Sequence, residues 1–282
     1  MTLPLNTILN GDCLEVMKDW PDDSADLVFC SPPYEDARTY GIDFNLKGQD
    51  WVDWALPRFV ECVRVCKGLV CWVVEGKTKQ YRWSATPALL MADLHRAGVS
   101  LRKPPAFHRV GISGSGGPDW LRNDYEFIIC ATSGRLPWSD NVAMGMPCKY
   151  PVGGEMSYRN KNGERKNASE SQRRKGIKGH TVAYNPPKIA NPGNIIRCRV
   201  GGGVDNKISH ENEAPFPEKL AEFFIRSFCP PNGVVVDCYS GSGTTVSAAK
   251  QLGRRWIAID IRKSQCELTA RRLKAVQMPL WR

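Results

Sequence analysis

Val234-Val235-Val236-Asp237-Cys238-Tyr239-Ser240-Gly241-Ser242-Gly243-Thr244-Thr245 reads as a short apolar strand, a glycine-rich turn and the opening of a helix. Thr244 and Thr245 can start that helix, Val246, Ala249 and Leu252 give it an apolar stripe, and Gly253 is its stop signal. Some two hundred positions earlier the apolar run Ala25-Asp26-Leu27-Val28-Phe29-Cys30 ends in Ser31-Pro32-Pro33-Tyr34. Between and beyond these two strand ends, short apolar runs alternate with helix-period stretches, the pattern of a mostly parallel α/β sheet with crossover helices. Strands are expected at residues 6–10, 26–30, 68–74, 125–131, 233–237 and 256–260. Ser264 followed by Glu267 has the spacing of a capping box, which predicts a helix from there to about Val276.

At 282 residues the chain is long enough for one large α/β domain with an insertion, or for two smaller domains. Lys and Arg number 39 against 29 Asp and Glu, a net charge of +10. Residues 149–199 alone hold twelve Lys and Arg against Glu155, Glu164 and Glu170. The same region, from about Leu136 to His210, is rich in Asn, Gly and Pro, and strand-helix alternation stops before it and resumes at Phe216. It reads as an insert, and its charge suits a polyanion bound through phosphate contacts, although a charge run taken alone is more often a solvated face. Within it, residues 160–179 have almost no apolar side chains, so local disorder is expected before a partner arrives. Residues 111–118, Gly-Ile-Ser-Gly-Ser-Gly-Gly-Pro, are expected to form a loop.

The eleven cysteines lie mostly in apolar stretches and include no C-x-x-C pair, which points to reduced core thiols rather than a disulfide frame or a metal site. No run of about 18 apolar residues occurs, and the N-terminus lacks a basic start followed by a long apolar region, so the expectation is a cytoplasmic protein without membrane contact.

Both turns carry chemistry. Gly241 and Gly243 let a ligand approach the backbone, and the helix start behind them presents free N–H groups to a carboxylate. A bare G-x-G is equally a tight turn, but Asp260 ends the next strand 23 positions after Asp237, about the spacing at which nucleotide folds hold ribose hydroxyls. No Lys follows the glycines, which argues against a phosphate-binding NTPase loop. Gly11-Asp12-Cys13 follows the first strand, and Asp12 is read either as a contact to a ligand's adenine amine or as a helix N-cap. Ser31 Oγ and the Pro32 carbonyl can act as a pair of acceptors for the two N–H groups of an exocyclic amine. Two consecutive prolines stiffen that loop, and Tyr34 adds an aromatic face on which a base can stack. Asn185-Pro186-Pro187-Lys188 looks similar, but has no strand before it and no aromatic after it.

In their order, these residues resemble the amino-methylating DNA methyltransferases with the permuted, β-type arrangement of motifs. The likeness covers nearly all of the chain outside the basic insert. Gly11-Asp12 through Asp26-Leu27-Val28 into Ser31-Pro32-Pro33-Tyr34 is similar to the family's opening block, and Tyr125-Glu126-Phe127-Ile128-Ile129 to its late strand with a base-proximal aromatic. Residues 210–221 are similar to its cofactor-pocket helix start, and Asp237 to Thr245 to its Asp-x-x-x-Gly-Ser-Gly-Thr-Thr. The resemblance implies the methyltransferase version of the Rossmann-like doubly wound fold, with S-adenosylmethionine as donor and a target-recognition region between the two halves. The expected organisation is therefore a catalytic half at 1–135, a basic target-recognition insert at 136–209 and a cofactor-binding half at 210–282. Ser31, Pro32, Pro33 and Tyr34 become the expected catalytic set. Asp12, Cys13, Asp237, Ser240, Gly241, Ser242, Gly243, Thr244, Asp260 and Ile261 become the expected cofactor set, and the resemblance adds Phe216, Pro217 and Lys219. These last three also read as a hydrophobic staple and the start of an amphipathic helix carrying Leu220, Phe224 and Phe228.

A Ser start to the tetrapeptide is associated in the family more often with cytosine N4, and an Asp start with adenine N6. The leading expectation is a sequence-specific methyltransferase acting on cytosine N4 in a flipped-out base of double-stranded DNA, with adenine N6 as the alternative. C5 chemistry needs a thiolate, and no Pro-Cys stands at the strand end, Pro147-Cys148 being at the edge of the insert. Two other classes are a methyltransferase for protein side-chain amides and a DNA-binding module that has lost catalysis. Arg159, Lys161, Arg165, Lys166, Arg173, Arg174, Lys175 and Lys178 are expected to contact DNA, mainly at phosphates. No metal is expected, and the sequence leaves a homodimer open.

Overall fold

The computed structural model describes residues 2–36, 44–111, 119–148, 157–167, 173–175, 181–183, 188–200 and 216–276. In chain order the elements begin β1 (Thr7–Asn10), α1 (Cys13–Met17), β2 (Ala25–Cys30), α2 (Gly48–Val65), β3 (Cys66–Val74), β4 (Thr78–Lys79), β5 (Arg82–Trp83), α3 (Thr86–Arg96), β6 (Leu101–Arg102), β7 (Ala106–Val110) and β8 (Tyr125–Ala131). Then come β9 (Met146–Pro147), β10 (Ser157–Arg159), β11 (Arg165–Asn167), β12 (Arg173–Lys175), β13 (Thr181–Ala183), β14 (Ile189–Ala190) and β15 (Ile195–Arg199). The chain ends in α4 (Glu218–Phe228), β16 (Val234–Asp237), α5 (Thr244–Gln251), β17 (Arg255–Asp260) and α6 (Lys263–Ala275).

Among the described residues nine strands form one sheet in the order β1-β17-β16-β2-β3-β8-β7-β15, with β6 also paired to β8. Every pairing that involves β8 is antiparallel and all the others are parallel, so β8 alone runs against the rest. From the central pair β16 and β2 the chain winds outward in both directions, through α5 to β17 on one side and through α2 to β3 on the other. The gap between them is the topological switch point, where parallel sheets of this kind open a crevice at the carboxyl ends of the strands. Thr245 Oγ1 donates to the Phe29 carbonyl at 3.2 Å and the Val234 amide to Asp26 Oδ2 at 2.8 Å, which tie the two strands beyond their short ladder.

The strand β2 is buried along its whole length, as a strand covered on both faces must be. Its alternate side chains feed two apolar layers. Val28 and Cys30 join Trp51, Phe59 and Leu90 from α2 and α3, whereas Leu27 and Phe29 join Leu220, Phe224 and Val246 from α4 and α5. The pairing of β2 with β3 slips between Ala25 and Leu27, and Gly68 lies at that irregularity. A Cβ there would stand 1.9 Å from the Asp26 carbonyl, so only glycine fits. All eleven cysteines are free thiols, nine of them buried, and Cys62 and Cys238 bring their sulfurs to 3.6 Å. Among the described residues no helix is long and apolar enough to cross a membrane.

The chain divides into two compact units, residues 1–140 with 193–282, and Asn141–Pro192. The second unit is narrower than the expected insert at 136–209, because β15 pairs in parallel with β7 and belongs to the large sheet. Neither β7 nor β15 is among the expected strands. Among its described residues the second unit contains three two-stranded pairings, β10 with β11, β12 with β13 and β14 with β9. Of residues 160–179, where disorder before a partner arrives is expected, 160–167 and 173–175 are described. Asn160 Oδ1 accepts the amides of Asn162 and Glu164, closing the turn between β10 and β11. Residues 112–118 and 185–187 lie outside the described residues.

The capping box at Ser264 does not form. The helix α6 begins one residue earlier, Arg262 stands at its cap position, and no side chain caps it. Asp260 Oδ1 accepts the Arg262 amide at 2.8 Å instead, so the acid at the strand end organises the turn into the helix. The helix α5 begins at Thr244 as expected, with Gly243 at its cap at φ +77° and Gly253 beyond its end at φ +69°.

Candidate active site

A cavity opens at the carboxyl ends of β1, β16, β17 and β2. It is lined by the turns that follow those strands: Gly11 to Cys13, Cys238 to Gly241, Asp260 to Arg262 and Ser31 to Tyr34. Thr244 at the start of α5 closes its floor, and Phe44, Trp54 and Phe216 complete the wall. The two turns that stand two hundred residues apart in sequence thus meet because β16 and β2 are neighbours in the sheet.

Ser31 and Tyr34 are held from β3 and β8. Ser31 Oγ lies 3.0 Å from the Val73 carbonyl, to which it donates, and 3.2 Å from the Tyr34 hydroxyl. Tyr34 donates to Glu126 Oε2 at 2.9 Å, and the other oxygen of Glu126 pairs with Arg109 at 3.1 Å. With the tyrosine proton directed at Glu126, the single proton of Ser31 is directed at a carbonyl or at the tyrosine oxygen, and its lone pairs stay available to a donor. Trp51 Nε1 on α2 donates to the Pro33 carbonyl at 2.9 Å.

The opposite wall of the cavity is equally ordered. Asp260 accepts the Gly241 amide at 2.9 Å through one oxygen and the Arg262 amide through the other, which joins the turns after β16 and β17. Asp12 accepts the Leu14 amide at 2.9 Å as the N-cap of α1, and its second oxygen pairs with Arg58 at 2.6 Å. The N-cap reading of Asp12 is realised, and the residue lines the cavity as well. Arg58 in turn lies over the Trp54 ring at 4.5 Å, and Trp54 and Trp72 both pack on Tyr239. Burial pushes the Tyr239 hydroxyl well above the usual phenol range, and a hydrogen bond with Cys238 holds the Cys13 thiol below its usual value.

Of the expected cofactor residues, Asp12, Cys13, Phe216, Ser240, Gly241, Thr244, Asp260 and Ile261 line the cavity, and Asp237, Ser242, Gly243, Pro217 and Lys219 do not. Asp237 is buried beneath the turn, where its Oδ1 accepts the Tyr239 amide at 3.1 Å, and desolvation raises its carboxyl to about 7. Gly243 packs against α6, where a Cβ would meet the Thr269 methyl at 2.8 Å. Ser242 lies 3.4 Å from the buried guanidinium of Arg272, which also donates to Thr244 Oγ1 and to Glu218 Oε2. Pro217 caps α4 from a buried position, in keeping with its helix-start reading, and Lys219 is exposed. Phe216 meets Phe29 edge-on at 5.4 Å.

The cavity lining also includes Gly11, Phe44, Trp54, Cys238, Tyr239 and Arg262, which the expected sets lack. Tyr239 and Arg262 directly adjoin expected residues, so the turns on which they lie were signal enough. Trp54 stands three positions after buried Trp51 on α2, a spacing that marks a shared helix face but not what that face meets. Among the expected DNA contacts, Lys161 and Arg165 are exposed in the second unit. Arg159, Lys166, Arg173, Arg174 and Lys175 lie on β10, β11 and β12, and Lys178 lies outside the described residues.

A doubly wound sheet with one reversed strand and a cavity at its switch point is the architecture of the S-adenosylmethionine-dependent methyltransferases. The chain belongs to the DNA methylase family of the N6-adenine and N4-cytosine enzymes, whose profile matches residues 25–271. It is 29% identical to the orphan methyltransferase M.BamHII of Bacillus amyloliquefaciens over 90% of each chain. It is 25% identical to the DNA adenine methyltransferase YhdJ of Escherichia coli K12, over 95% of this chain and 82% of that one. Among solved structures, the cytosine-N4-specific PvuII DNA methyltransferase superposes with a TM-score of 0.69 at 19% identity, covering 96% of this chain and 87% of the other. A Thermus thermophilus protein solved with S-adenosyl-L-methionine superposes with a TM-score of 0.59 at 19% identity, covering 97% and 96%.

Proposed function

We propose that this chain is a sequence-specific DNA methyltransferase that modifies the exocyclic N4 of cytosine in a base extruded from double-stranded DNA. The observation that carries the amine chemistry of this reading is the orientation of Ser31, and the Ser start of the tetrapeptide favours cytosine as the base. Its hydroxyl proton is engaged by Val73 or Tyr34, so Ser31 Oγ meets an incoming amine as an acceptor. One N–H of the amine donates to Ser31 Oγ and the other to the Pro32 carbonyl. Holding both turns the nitrogen lone pair out of conjugation with the ring and toward the cavity, and fixed positioning of this kind supplies much of the rate. The Glu126 bond fixes the plane of Tyr34, whose ring stacks on the extruded base.

The cavity fits S-adenosylmethionine, with the Trp54 and Tyr239 rings for a base, the Asp260 and Asp12 carboxylates for hydroxyl and amine donors, and the first turn of α5 for a carboxylate. Bound there, S-adenosylmethionine supplies an electrophilic methyl carbon. Asp12, Cys13, Phe216, Ser240, Gly241, Thr244, Asp260 and Ile261 contact it, and Asp237, Ser242 and Gly243 shape the turn from below. The basic unit reads the target, with Arg159, Lys161, Arg165, Lys166, Arg173, Arg174, Lys175 and Lys178 mainly on phosphates.

Adenine N6 is the second reading, favoured by the likeness to YhdJ. Unmethylated DNA incubated with the protein and labelled S-adenosylmethionine, then digested to nucleosides and resolved by mass, decides between them. N4-methylcytosine is expected, N6-methyladenine would move the assignment to the second reading, and label in protein but not in DNA would overturn both.

A further inference from the structure

The hairpin of β4 and β5, Thr78-Lys79-Gln80-Tyr81-Arg82-Trp83, has no part in the chemistry above. Three of its features work against its own stability. Lys79 and Arg82 pair directly across the strands, and like charges in that position repel. Both are exposed, and among the described residues no carboxylate lies within 4 Å of either. The two turn residues, Gln80 and Tyr81, hold φ of +50° and +64°, a left-handed pair for which Asn-Gly is the preferred sequence. Tyr81 is 81% exposed, a large aromatic at a tip where glycine would be favoured.

The base of the hairpin, by contrast, is tightly held. Trp83 Nε1 donates to Glu75 Oε1 at 3.0 Å, and its ring stacks on Phe127 at 5.9 Å. Gly76 has no side chain where a Cβ would come within 2.5 Å of Trp83 Nε1, so the indole closes onto the strand end. Glu75 is two residues from the Val73 carbonyl that receives the Ser31 hydroxyl, and Phe127 adjoins Glu126, which holds Tyr34. A rigid foot therefore fixes a cationic, aromatic tip beside the reaction loop.

Resting on the DNA-methylating function proposed above, we infer that this hairpin is a DNA-contacting element, with Tyr81 against bases and Lys79 and Arg82 against phosphates beside the extruded nucleotide. A phosphate between Lys79 and Arg82 relieves their repulsion, and base stacking covers the exposed ring. The hairpin thereby adds a contact surface outside the basic unit and next to the chemistry.

The test compares the full chain with Tyr81→Ala, Tyr81→Phe and the double variant Lys79→Gln/Arg82→Gln. The measurements are duplex affinity at several salt concentrations, methyl transfer to unmethylated DNA and S-adenosylmethionine affinity. The double variant is expected to flatten the slope of log affinity against log salt by about 2. Tyr81→Ala is expected to lower transfer about tenfold, Tyr81→Phe to retain it, and all variants to bind the cofactor as the parent does. Parent-like salt slope and transfer in every variant would overturn the inference, as would a loss of cofactor binding in parallel with DNA binding. A parent chain that neither binds nor methylates DNA would instead overturn the function on which the inference rests.

Discussion

Asp237 is a buried carboxyl that accepts the Tyr239 amide, and desolvation raises it to about 7. In the unfolded chain it titrates near the ordinary aspartate value, so between about pH 4 and 7 the folded protein holds a proton that the unfolded chain has lost. Stability from this residue is therefore greatest at low pH, falls as pH rises, and is level above 7. Asp237→Asn removes the titration while keeping an acceptor for Tyr239. Urea unfolding across pH 5 to 8 should show the variant gaining on the parent by at most about 1.4 kcal/mol per pH unit up to 7. A constant gap across that range would contradict the assignment. Ser31, the residue proposed to act on the base, was legible for a local reason: two prolines after an apolar run mark a stiff strand end wherever they occur. Val73, Glu126 and Arg109, which set the proton arrangement of Ser31, were not legible, because the register of β3 against β8 and of β8 against β7 brings them there.

Arg272 links three elements, since one guanidinium reaches Thr244 at the start of α5 and Glu218 at the start of α4 from its own place on α6. It is 1% exposed, so removing it takes one partner from Glu218, which keeps Gln251 Nε2, and opens a void beneath the glycine turn. Arg272→Ala should cost about 3 kcal/mol in chemical denaturation and weaken cofactor binding with it. A cost under about 1 kcal/mol would show that the strut is dispensable. Gly68→Ala tests the junction of β2 and β3, where no rotamer relieves a Cβ against a main-chain carbonyl. Destabilisation at the upper end of the overpacking range, about 3 kcal/mol, is expected by thermal unfolding. Each of the six strands expected from sequence appears within two residues of its expected bounds, carried by short apolar stretches such as Leu27–Cys30 and Leu69–Val74. The strand β15 escaped because only alternate residues of Ile195–Arg199 are buried and its partner β7 lies far back in the chain. At α6 the spacing of Ser264 and Glu267 was present, but Asp260 had already taken over the first turn.

At the scale of the molecule, the order of the motifs along the chain is reversed relative to a cofactor-first reading, yet the sheet makes that order immaterial. The turns after β16 and β2 meet because the strands are adjacent, and winding outward from that pair leaves one crevice for donor and acceptor. The charge of residues 149–199 was readable as composition, whereas the paired strands of the second unit were not, since their short polar segments carry no alternation. Duplex affinity should fall steeply with salt through that unit, and a nearly flat dependence would remove its phosphate role. The claim on which the rest depends is that the two turns form one site in which Ser31 receives an amine while the cofactor is held by other residues. Ser31→Ala, assayed for S-adenosylmethionine binding by titration and for methyl transfer to DNA in a single turnover, tests it most directly. Unchanged cofactor affinity is expected with transfer lowered about a hundredfold, as for the loss of one positioned hydrogen-bonding group at a reacting centre. Transfer at the parent rate would contradict it.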